Sequence, residues 1–88
     1  MSEVSYVVYR EILVAATIES AGGGSPEIVP QEGNPHRVDF RFAKTPEFGR
    51  VSTGLATGTI KPTAEAVERS RQQLKVRAIL AKESVVSR

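Results

Sequence analysis

An α+β domain is what this sequence predicts: a small antiparallel sheet of three to four strands with one C-terminal α-helix packed on one face. Three observations carry that reading. The stretch His36-Arg37-Val38-Asp39-Phe40-Arg41-Phe42-Ala43 alternates polar and apolar residues, the period-two mark of a strand with one wet and one dry face. From Ala64 to about Glu83 there is neither Gly nor Pro, and apolar residues recur at helical spacing. Elsewhere, Val4 to Ile18 and Phe48 to Ile60 have strand-like composition.

The chain of 88 residues is long enough for one domain with one modest core, and residues 1–88 are read as that domain. Apolar residues make up 40% and charged residues 25%, the balance of a soluble globular protein and not of a disordered one. There is no cysteine, so disulfides and thiolate metal sites are excluded. No apolar run approaches the ~18–20 residues of a membrane span. The start, Met-Ser-Glu-Val, lacks the basic cluster of a signal peptide, and a cytoplasmic location is the expectation.

Taken in order, residues 4–18 read as one long strand with a bend near Arg10-Glu11, and a helix is the competing reading because Ser20-Ala21-Gly22 would stop one. Residues 21–35 form a Gly- and Pro-rich flexible loop, within which Glu27-Ile28-Val29 is a candidate edge strand. Val38, Phe40 and Phe42 supply the dry face of the central strand. Lys44-Thr45-Pro46-Glu47 supplies turn chemistry, and Phe48 to Ile60 follows as a glycine-bent strand or hairpin. Thr63 caps the helix, Glu65 and Arg69 support it at i, i+4, and residues 84–88 are a tail. The helix core stripe is Val67, Leu74, Ala78, Ala81 and Val85, within roughly 40° of one meridian at 100° per residue.

Chemistry is poorly represented. His36 is the only histidine, no nucleophile is presented beside it, and the acids are spread singly, so neither a catalytic nor a metal centre is expected. Gly22-Gly23-Gly24-Ser25 lacks the Lys-Ser/Thr of a phosphate loop. No cofactor is called for, and an enzyme is set aside.

Surface features say more. Val76, Ile79 and Leu80 lie beside or opposite the helix core stripe, and Tyr9 and Leu13 fall on the second face of the opening segment. Two elements with two apolar faces in so short a chain predict association. Charge is also polarised. Residues 1–35 set Arg10 against five glutamates, a net −4, and residues 36–88 set eleven Lys and Arg against five acids, a net +6. Arg71, Lys75 and Lys82 share one flank of the helix within about 40°, and Arg37 and Arg41 share the wet face of the central strand. These are the candidate contacts for an acidic partner or a nucleic acid. The expected function is a non-enzymatic protein–protein interaction module. It would act as a homodimer or as an accessory or inhibitory subunit docking on a larger protein, away from any membrane. The alternative is a nucleic-acid-binding regulator using the basic helix.

Overall fold

The computed structural model describes residues 5–86, and the side chains of all of these except residues 35, 36 and 84–86. The elements run β1 (Tyr6–Tyr9), α1 (Ile12–Ser20), β2 (Glu27–Gln31), β3 (Asn34–Ala43), α2 (Pro46–Thr57) and α3 (Ala64–Val86). The fold is α+β, with a three-stranded antiparallel sheet in the order β1-β3-β2. The long alternating strand is at the centre, with its dry face turned to the core. Val7 opposes Phe42, Tyr9 opposes Phe40, and Ile28 also opposes Phe40, so these share the inner face. All three helices lie over that face, where Val38, Phe40 and Phe42 meet Ala15, Ala16, Ile18, Phe48, Val51, Leu74 and Ala78. The result is a slab two layers thick, with extents of 44 × 39 × 16 Å. Phe42 sits between Tyr9, edge-on at 5.9 Å, and Phe48 at 5.7 Å between ring centres.

The C-terminal helix packs on β3 and β2 and against α1. Thr63 caps it by accepting the Ala66 amide at 3.1 Å, and Arg69 pairs with Glu65 at 3.3 Å. Leu74 and Ala78 are buried and Val67 and Ala81 pack against the core. Val4, the His36 side chain and the Val85 side chain, each of which entered the sequence reading, lie outside what is described.

Two stretches differ from expectation. Residues 4–18 are not one strand: β1 ends at Tyr9 and α1 begins at Ile12. Consecutive Ala15 and Ala16 are both fully buried, which a strand cannot do against a single core face. Their small side chains let α1 lie close on its neighbours. Composition hid the switch, because α1 is apolar nearly all round and shows no clean period. Its β-branched Thr17 is accommodated by donating its hydroxyl to the Leu13 carbonyl at 2.8 Å.

Phe48 to Ile60 is not a bent strand either; most of it is α2. Thr45, read as part of a turn, is the helix N-cap, its Oγ1 accepting the Phe48 amide at 3.1 Å. Pro46 takes the first position, Glu47 lies at the positive end of the dipole, and Gly58 closes the helix at φ 77°. Gly54, costly in a helix, is required because a Cβ there would collide with Ile60, which folds back over it. The Gly- and Pro-rich loop is also shorter than expected, since residues 27–43 form a β2–β3 hairpin turned at Glu32-Gly33, with Gly33 at φ 80°.

Candidate functional site

Where β1 leads into α1, residues of that junction, β2, β3 and α3 line a cleft of about 370 Å³. Its apolar lining is Ile12, Val38, Phe40, Ala78 and Ile79, and its polar lining is Arg10, Gln31, Arg37, Lys75 and Lys82. Each wall follows from local structure. Lys75, Ala78, Ile79 and Lys82 share a flank of α3 because they are spaced by three and four residues. Val38 and Phe40 point inward from β3, and Arg10 and Ile12 come to the cleft from the short junction between β1 and α1.

Four cations therefore line one concavity, and no carboxylate is among its described lining residues. Partial compensation comes from Asp39, 3.9 Å from Arg10 and already accepting the Gln31 amide at 2.9 Å, and at longer range from Glu68 acting on Lys75. Among the described residues, Arg37, Lys75 and Lys82 have no ion-pair partner. Four like charges around an apolar floor, incompletely neutralised, favour an anionic occupant.

Beside the cleft runs an apolar stripe on the outward side of α3. Val76 is 57% exposed, Ile79 45% and Leu80 59%. Ile79 belongs to both the stripe and the cleft wall, so the two make one surface. Among the described residues, the other large exposed apolar side chains are Leu13 and Val14 on α1 and Tyr6 and Val8 on β1.

The candidates from sequence separate into three groups. Lys75, Lys82 and Arg37 converge on the cleft, and Val76, Ile79 and Leu80 on the stripe beside it. Leu13 is exposed, whereas Tyr9 is half-buried against Phe42 and is part of the core's edge. Arg71 and Arg41 do not join the cleft. Arg71 is clamped by Glu68 through bonds of 2.9 and 2.6 Å from Nε and Nη2. That contact, with the Gln72 amide beside it, holds the Glu68 carboxyl down at about 2, and the same pairing raises Arg71. Arg41 lies on the outer face of the sheet, bonded to Glu27 at 3.2 Å and stacked over the Tyr6 ring at 4.5 Å.

Arg10 and Gln31 belong to the cleft and were not singled out from sequence. Arg10 did leave a signal, as the one charge interrupting the apolar face of the opening segment. A second, uncharged hollow lies between Tyr9, α1 and α2, lined by Val14, Thr17, Ile18, Ser52, Leu55 and Ala56. No cluster of His, Asp or Glu that could hold a metal occurs among the described residues, and no described helix is long and apolar enough to cross a membrane. Comparison with family models, with curated proteins and with solved structures finds no match to this chain.

Proposed function

We propose that this protein is a non-enzymatic interaction module that docks on a larger protein by receiving an acidic, amphipathic segment of it. The observation that carries the reading is the continuity of the Val76-Ile79-Leu80 stripe with the cleft holding Lys75, Lys82, Arg37 and Arg10. Apolar side chains of the segment would cover the stripe, and its carboxylates would meet the cations of the cleft. Charge also selects against α3 pairing with its own copy. Antiparallel packing of two such stripes sets Lys75 of one helix against Lys82 of the other, like charges at close range. A nucleic acid fits less well, because Arg71 and Arg41 are engaged elsewhere and the only aromatic ring among the described lining residues of the cleft, Phe40, is buried.

The test is fluorescence anisotropy with a labelled peptide carrying leucines at helical spacing and glutamates between them. A second peptide has glutamine in place of every glutamate, and a labelled DNA duplex is the third probe. The acidic peptide should bind, more weakly as salt is raised, and both Leu80→Asp and the Lys75→Glu, Lys82→Glu double variant should lose it. Equal binding of the glutamine peptide, or none of either, would refute the reading. Salt-sensitive binding of the duplex alone would put the nucleic-acid regulator in its place.

A further inference from the structure

The free edge of β1 points to a second interaction, one with another copy of this chain. Of the two edges of the sheet, β2 is blunted: Pro30 has no amide hydrogen, Glu27 is charged, and the register shifts at Pro30/Gln31. β1 is Tyr-Val-Val-Tyr, with no charge, no proline and no described strand on its outer side.

The register states which groups are left over. Lys44 N–H donates to the Ser5 carbonyl at 2.9 Å, so Ser5 directs its carbonyl toward β3. Alternation along an antiparallel ladder then directs Val7 and Tyr9 toward β3 as well, and turns the amide and carbonyl of Tyr6 and Val8 outward. Those four outward groups have no partner among the described residues. Both side chains are about half exposed, Tyr6 at 44% and Val8 at 50%.

We infer that two copies join through β1 in antiparallel register about Val7, making one continuous six-stranded sheet. Twofold pairing about Val7 sets Tyr6 opposite Val8 of the copy and Val8 opposite its Tyr6. All four outward groups of each strand are then bonded, and like faces stay together because the sum of paired positions is even. Tyr6 and Val8 of one copy abut Val8 and Tyr6 of the other on the outer face, and no like charges meet within the four-residue strand. This self-complementarity is the reason the occupant is a second copy. The strand is short, so the contact belongs to the weak, exchanging class, below about 1,200 Å² of buried surface. It uses none of the outward stripe residues of α3.

Sedimentation across a concentration series on the intact chain tests the inference. Mass should rise from one copy toward two, and the amides of Tyr6 and Val8 should gain protection from hydrogen exchange with it. Val8→Pro removes an outward donor without breaking a bond to β3, and Val8→Lys keeps the backbone but charges the edge. Each should hold the chain at one copy where the parent is half paired, with circular dichroism unchanged for the lysine variant. A parent that stays monomeric throughout, or a dimer that survives Val8→Lys, overturns the inference. A dimer lost in Leu80→Asp but not in Val8→Lys would also overturn it, by moving self-association to α3.

Discussion

Lys75 and Arg77 carry the same charge two residues apart on α3, yet the fold treats them oppositely. Arg77 reaches across to the loop after α1, donating to the Pro26 carbonyl at 2.7 Å and the Ser25 hydroxyl at 3.0 Å, with Glu19 at 3.7 Å. It ties the helix to a distant part of the chain. Lys75, on the opposite flank with Lys82, makes no described hydrogen bond or ion pair, feels Glu68 only at longer range, and lines a cleft. Two steps along a helix turn a side chain through ~200°, so helical geometry divides the helix into a flank that holds the fold and a flank that is available. A basic side chain committed to internal bonds is structural, while the cleft cations are the ones the proposed acidic segment would engage.

The sharpest way to break this comparison is to substitute leucines from the two sides. Leu74 is fully buried at the centre of the α3 contact, and Leu74→Ala should cost about 2–5 kcal/mol. Leu80→Ala, on the outward stripe, should stay within about 0.5 kcal/mol. Urea unfolding of both variants reads the difference. Comparable losses would mean that the stripe belongs to the core and that no docking surface exists.

Next in size is Arg77→Ala, which removes the tie to Ser25 and Pro26. The side chain remains partly in water, so a loss of roughly 1 kcal/mol is expected. Binding of the acidic peptide should be unchanged. The Lys75→Glu, Lys82→Glu variant should reverse that pattern, with stability within about 0.5 kcal/mol of the parent and peptide binding lost. If Arg77→Ala impaired binding as much as the lysine changes did, the division between the flanks would fail.

How much of this was legible in the sequence depended on how each element earns its stability. The central strand announces itself by one wet and one dry side and so one clear period, and α3 by a long run without Gly or Pro behind the Thr63 cap. α1 and α2 do not. Ala15 and Ala16 are buried on neighbouring sides of a short helix wedged against other elements, and no period survives that arrangement. In α2 the glycines argued for a strand, although Gly54 is there to admit Ile60. The cap sequence Thr45-Pro46-Glu47 was the signal that could have settled it. The surface shows the same split. The outward stripe and the clustering of Lys75 and Lys82 follow from positions on one helix and were readable. The meeting of that flank with Arg10, Gln31 and Arg37 depends on where β1 and β3 end, which is tertiary and was not.

Glu68 gives the smallest effect and the finest test of the comparison. It lies on the available flank and neutralises Arg71, one turn before Lys75, so it decides whether a third cation joins the cleft lysines. Its carboxyl titrates at about 2, against 4.5 in the unperturbed group, chiefly through the hydrogen bonds from Arg71 and Gln72. A carboxyl with a depressed folded-state value stabilises the fold fully above the unfolded value. That contribution is lost as pH falls from about 4.5 through about 2. The melting midpoint of Glu68→Gln should therefore lie slightly below the parent's at neutral pH, with the gap closing across that window and shrinking in salt. The same substitution releases Arg71 beside Lys75 and should tighten the acidic peptide. Carbon-detected NMR titration checks the premise directly, since a Glu68 midpoint near 4.5 would show that Arg71 was never sequestered.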